Sequence, residues 1–169
     1  MDELKAFATE GTRILEWKTG DLTGSGRMDA LLVLDPPGAG DEKLGEGPER
    51  TVLLLIRGMS GRWNQAGTNR RIVPSATRGG VAGDPFGYVR LEEAGFTVVN
   101  GGGSRERWAD EFSFTYREDR EDWFVSKVVR RVSDSETGLE KRIDLSPEEL
   151  GLIAFEDFDP VTIPEVTLP

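Results

Sequence analysis

The sequence predicts an all-β domain, mainly an antiparallel sandwich or a strongly curved sheet, with one or two short helices. Three observations predict it. About eight segments alternate or run apolar over strand length. Clusters of Gly, Pro, Asn and Asp separate them at hairpin spacing. Helical patterning is confined to two scraps near the ends of the chain. With 169 residues and 37% hydrophobic composition, the chain forms one domain, residues 1–169, able to bury a core.

The elements follow in order. Residues 2–8 form a short helix with Leu4, Phe7 and Ala8 on one side. Residues 12–18 alternate, Ile14 and Glu16 against Leu15 and Trp17, which predicts a strand. A polar glycine loop follows at 20–28, then an apolar strand from Asp29 to Leu34, stopped by Pro36, Pro37 and Gly38. Residues 36–50 read as a surface loop rich in Gly, Pro and charge. Thr51 to Arg57 is a continuous apolar strand, central in its sheet. Gly58 to Gly61 turns it back, with Arg62 to Gln65 as the returning arm and Ile72 and Val73 as at most a short strand.

Gly87 to Leu91 and Phe96 to Asn100 read as a hairpin around Glu92 to Gly95. The glycine run Gly101, Gly102, Gly103 is no phosphate loop, because no Gly-Lys pair and no helix follow it; it reads as a turn or bulge between strands. From Trp108 to Arg117 the aromatic residues Phe112, Phe114 and Tyr116 share one face, with Glu111, Ser113 and Thr115 on the other. Trp123 to Val132 makes a further strand. Ser146 and Pro147 open a helix as N-cap and first residue. Leu152 to Phe155 reads as a last short strand, and Pro160, Pro164 and Pro169 keep the tail extended. Trp17, Phe112, Phe114, Tyr116 and Trp123 are expected in the core, and Trp108 is expected to pack over a sheet edge.

Composition removes several functions. The chain has no histidine and no cysteine. That takes away the commonest general base, the commonest zinc ligand and the serine–histidine triad together, and it leaves the redox compartment unread. No stretch is long and apolar enough to cross a bilayer, and no basic and apolar leader opens the chain. The expected location is the cytoplasm as the sequence is written, or the periplasm if a leader has been removed. Net charge is −10, and the Pro-containing segment 134–169 carries ten acids against two bases, which is −8 of it. A one-sign field steers basic partners and repels nucleic acid. Acids are plentiful enough for a carboxylate pair of glycosidase type, but none sits in a recognisable motif.

The loop at 20–28 has the spacing of an oxygen-ligand calcium loop. Asp21 stands at position 1, Thr23 at 3, Ser25 at 5, Gly26 at 6 and Asp29 at 9. Hydroxyls replace two of the usual carboxylate or amide ligands. The metal candidates are therefore Asp21, Thr23, Ser25 and Asp29, with calcium as the only cofactor considered. The same residues also make a plain turn, in which Asp21 and Thr23 bond their own backbone and the glycines supply positive φ.

Residues 20–34 resemble the loop–strand unit of FG-GAP/VCBS-repeat proteins, usually Asp-x-Asn-x-Asp-Gly before an apolar strand. The unit occurs once here, so a propeller of repeated blades is excluded. A wider pattern is similar to a group of small bacterial β-rich proteins carrying such a loop. Its parts are Gly79-Gly80, Gly83-Asp84-Pro85-Phe86, Gly102-Gly103-Ser104, Trp108, Phe112-x-Phe114-x-Tyr116 and Asp122-Trp123. That resemblance implies a β fold, and by analogy a lysozyme-inhibitor-like or toxin-immunity-like role.

Three functions stand together: an inhibitor or immunity protein for a basic toxin or hydrolase, a calcium-stabilised extracellular binding module, and an enzyme. The first accounts for the missing catalytic groups and the acidic excess, and gives a non-catalytic protein-binding domain with a cognate protein partner. Its expected contacts are Glu148, Glu149, Glu156, Asp157, Asp159 and Trp63. No catalytic residue, nucleic-acid partner or membrane insertion is expected.

Overall fold

The structure is a computed structural model and describes residues 2–8, 11–37, 49–78 and 83–169. Nine strands lie in two antiparallel sheets among the described residues. The first holds β1 (Arg13–Gly20), β2 (Asp29–Asp35), β3 (Thr51–Arg57) and β4 (Trp63–Asn69), in sequence order. The second holds β5 (Phe86–Glu92), β6 (Gly95–Gly103), β7 (Glu106–Arg117), β8 (Asp122–Asp134) and β9 (Glu140–Leu145), also in sequence order. The helices are α1 (Asp2–Lys5) and α2 (Pro147–Leu150), with 3₁₀ turns at Ala76–Arg78, Phe155–Asp157 and Pro160–Thr162.

Strand periodicity places the core. Leu31, Val33, Val52 and Leu54 point inward from the first sheet and meet Val89, Phe96, Val98, Phe112, Phe114, Val125 and Val128 of the second. The intervening side chains Ala30, Leu32, Leu34, Leu53 and Leu55 face outward, yet are buried under Leu4 and Phe7. This two-sided burial explains why β2 and β3 read as unbroken apolar runs.

The C-terminal segment closes the open side of the sandwich. Phe155 and Phe158 are fully buried, Phe155 edge-on to Phe96 and Phe114, and Phe158 edge-on to Phe114. Each ring contributes about 2–3 kcal/mol by removal from water. Gly67 on β4 admits Phe155, because a Cβ there would lie 3.3 Å from the ring. A long-range ion cluster ties the end of β2 and the start of β3 to the segment before β5. The Arg50 side chain is fully buried, bonds both carboxylate oxygens of Asp84 (2.6 and 2.7 Å) and reaches Asp35 at 3.1 Å.

Several sequence expectations change. Trp17 is 47% exposed rather than core: on edge strand β1 it pairs with Leu32 on the outer face, outside the cluster capped by Leu4 and Phe7. Ile72 and Val73 form no strand; the amides of Arg71 and Ile72 bond the Asn69 side chain instead of a neighbouring strand, and Ile72 and Val73 plug the core. Gly101, Gly102 and Gly103 belong to β6 and pair with β7, and only Gly103 has positive φ, so the turn comes after them. β9 carries no apolar strand pattern, since four of its six residues are charged, as suits an edge strand. Leu152 to Phe155 gives only a single bridge, Phe124 to Ala154, before the 3₁₀ turn. Pro160 opens a 3₁₀ turn instead of prolonging an extended tail. Trp108 lies on β7, the middle strand of its sheet, not at an edge. The expected loop at 36–50 falls largely, and the Gly79-Gly80 pair entirely, outside the described residues.

Candidate functional site

The loop between β1 and β2 is built on one carboxylate. Oδ1 of Asp21 accepts from the amides of Thr23, Gly24 and Ser25 (3.2, 2.8 and 3.1 Å), and Oδ2 accepts from Gly26 at 2.7 Å. The Gly26 amide, with the other three, holds the Asp21 carboxyl below its ordinary range against a smaller opposing effect of burial. Gly24 and Gly26 supply the positive φ that the turn needs. The Thr23 hydroxyl donates to Ser25 Oγ at 2.9 Å. Asp29 is fully buried; one of its oxygens accepts from the Leu22 amide and the other has no hydrogen-bond partner. Burial pushes the Asp29 carboxyl up, with the Leu22 amide offsetting part of it.

The calcium candidates therefore come together in sequence but do not converge as ligands. Asp21 accepts from four amides, Thr23 and Ser25 bond each other, and among the described residues no group of three or more acids gathers to hold a metal. The donor set forms an amide-capped turn, whereas a hard divalent ion needs several converging oxygens. The loop is anchored through Leu22, whose carbonyl accepts from the Trp123 indole at 2.7 Å.

The acidic C-terminal segment is held, not free. Asn69 is buried at the end of β4 and donates to the carbonyls of Phe155 and Phe158 (2.7 and 2.8 Å), while its oxygen accepts from Arg71 and Ile72 (2.7 and 2.9 Å). Arg130 pairs with Asp110 through two bonds and grips the carbonyls of Pro160 (3.2 Å) and Ile163 (2.9 Å) beyond it.

The predicted contact acids fall into two sets on this segment. Glu149 accepts from the backbone N–H and the hydroxyl of Ser146 and so caps α2; the Ser146 amide is the main cause of its lowered pKa. Glu156 accepts from the Thr68 amide and covers the free edge of β4, and Asp159 accepts from the Val161 amide. Glu148 and Asp157 are exposed and make no ion pair among the described residues. Trp63 is half-buried against the outer apolar cluster, with the Arg57 guanidinium 4.3 Å from its ring, so packing occupies it.

A cleft of about 510 Å³ opens on the inner face of the second sheet. β7 and β8 have 12 and 13 residues, whereas β2, β3 and β4 have seven each, so the longer strands overhang the first sheet. No residue of the first sheet lines the overhang. The segment 71–78 forms one wall, the tail 160–167 the other, and Trp108 and Phe112 of β7 the floor.

Family models, curated proteins and solved structures give no match to this chain. Its side chains must carry the functional reading. The sequence had marked the acids at 148–159, but not the residues that hold them in place. Asn69, Arg130 and Asp110 give no local signal, because each acts on a segment remote in sequence. The one available hint was polar residues inside strand patterns at positions that strand alternation sends inward.

Proposed function

We propose that this chain is a non-catalytic protein-binding domain of the immunity or inhibitor kind, which neutralises a basic secreted toxin or hydrolase. One observation carries the reading: the acid-rich segment is fixed to the core. Phe155, Phe158 and Ile163 are buried, and Asn69 and Arg130 hold the backbone between and beyond them. A tail that served only solubility would need no such anchoring. Acids held in place lose little entropy on association and steer an oppositely charged partner. Glu148 and Asp157 are the free charges of this surface, with Glu149, Glu156 and Asp159 adding field while serving the fold. The same field disfavours nucleic acid. Among the described residues no helix is long and apolar enough to cross a membrane.

The test is calorimetric titration of the chain with the product of the neighbouring gene, at low and high salt. The proposal expects a tight complex that weakens as salt rises, since steering between exposed charges is screened within about 10 Å at 0.1 M. Absence of a complex, or a complex indifferent to salt, would overturn it.

A further inference from the structure

We propose that the cleft on the inner face of the second sheet binds short zwitterionic peptides of two or three residues. This goes beyond the protein-partner reading and does not depend on it.

The walls of the cleft are tied to different strands. Asn100 on β6 donates to the Ile72 carbonyl at 2.8 Å and fixes the 71–78 wall. Arg130 on β8 holds the tail wall through Pro160 and Ile163. β7 runs between β6 and β8. The walls therefore stand about two strand spacings apart, roughly 10 Å.

Charge is divided between the walls. Arg71 and Arg78 belong to the first, and Glu165 to the second, with Glu106 at the start of β7. None of the four makes an ion pair among the described residues, in contrast to Asp110 and Arg130, which satisfy each other. Opposite charges thus line one cleft without neutralising one another. Between them lies the half-buried ring of Trp108, with Phe112 buried beneath the floor.

A ligand for this arrangement needs an anion at one end, a cation at the other and an apolar body. An extended peptide of two or three residues spans roughly 7–10 Å, which matches the wall separation. Its carboxylate meets the guanidinium pair, where charge-assisted and bidentate bonds are strong. Its ammonium meets Glu165 and Glu106, beside the Trp108 ring, which attracts cations over its face. The volume lies within the usual range for small-molecule sites, about 300–1,000 Å³. A polyanion would face two carboxylates here, and a purely apolar ligand would leave four charges desolvated without partners.

The experiment titrates the full chain with alanyl-leucyl-alanine, its N-acetyl derivative and its C-terminal amide, followed by calorimetry and by amide chemical shifts. Saturable binding is expected for the free peptide, at least tenfold weaker for each blocked form, with shifts centred on Trp108. In an Arg71→Gln/Arg78→Gln variant the difference between acid and amide should vanish. In a Glu106→Gln/Glu165→Gln variant the difference between free and acetylated peptide should vanish. All four positions are charged side chains without ion partners, so both variants should fold with unchanged circular dichroism. Failure of the free peptide to saturate at millimolar concentration, equal binding of blocked and free forms, or variants that keep full discrimination would overturn the proposal.

Discussion

Replacing Asn69 by Asp changes one atom type and should release the C-terminal segment. The remaining oxygen can still accept from the Arg71 and Ile72 amides, as the native side chain does at 2.7 and 2.9 Å. The former amide nitrogen, which donates to Phe155 and Phe158 at 2.7 and 2.8 Å, becomes an oxygen facing two carbonyl oxygens. Two hydrogen bonds worth about 1 kcal/mol each are lost, and the Phe158 carbonyl is left unsatisfied at about 1–3 kcal/mol, while the Phe155 carbonyl keeps the Phe158 amide at 3.3 Å. The expected loss is therefore about 3–5 kcal/mol. Urea unfolding followed by tryptophan fluorescence measures it. Hydrogen exchange localises it: the Asp157 and Phe158 amides, which bond Ala154 and Phe155, should lose protection before the strand amides do. Near-neutral pH is needed, because a buried aspartate beside carbonyls takes up a proton as pH falls and regains one donor. A loss below 1 kcal/mol with protection intact at 155–158 would refute the claim that Asn69 pins this segment.

Other outcomes follow from the same geometry. Arg50→Met removes the cation from between Asp35 and Asp84; with the Asp84 side chain 44% exposed and able to rehydrate, the loss should fall near the lower end of the about 3–5 kcal/mol for breaking a buried pair, read as a lower urea midpoint at unchanged m-value. Acid sensitivity should originate partly in the same cluster. The Arg50 guanidinium holds the Asp84 carboxyl below its ordinary value; at Asp35 burial acts upward, but the Arg50 and Arg13 bonds outweigh it and the carboxyl is again held low. Both therefore stabilise the fold above the unfolded carboxylate pKa of about 4, and that contribution is lost as pH falls through their lowered values. Arg50→Met should flatten the stability profile below about pH 4, and an unchanged acid limb would contradict this assignment. Trp123→Phe removes the indole donor to Leu22 and should cost about 2–3 kcal/mol while raising exchange of the 23–26 amides; equal loosening everywhere would show that the bond has no local role. Millimolar calcium should leave the melting temperature unchanged, and a rise of several degrees would show that the Asp21 loop reorganises to bind it.

What was legible in the sequence was local. Ser146 and Pro147 announce α2, and Glu149 three residues on from Ser146 completes a capping box that the fold uses. The alternation Phe112, Phe114, Tyr116 fixes the inner face of β7 even though a bulge interrupts the pairing between Ser113 and Phe114. Asp21 signals its turn through glycine spacing, and the turn forms around that carboxylate. What stayed hidden is polar and long-range. Arg50 sits beside a charged, glycine-rich stretch and looks like a surface residue, yet its partner Asp84 is 34 positions away, inside a tetrapeptide that reads only as a turn. Asn69 ends a strand of low apolarity and reaches residues 86 and 89 positions on. The cleft draws on five separated stretches, from residues 71–78, 100, 106–112, 130–132 and 160–167, so no window of sequence contains it. Charge pattern located the acidic surface but carried no information on whether it was anchored; that depended on Phe155 and Phe158 meeting strands laid down much earlier in the chain, and on Arg130 of β8 reaching the carbonyls of Pro160 and Ile163.

The central claim is that an anchored acidic surface docks a basic protein. The most direct measurement is the association rate of the neighbouring gene's product with the native chain and with a Glu148→Lys/Asp157→Lys variant, both changes at exposed side chains. Charge reversal at the docking surface should slow association at least tenfold at low salt, with the gap closing at high salt, while unfolding by urea stays the same. Equal association rates for the two proteins at low salt would contradict the account.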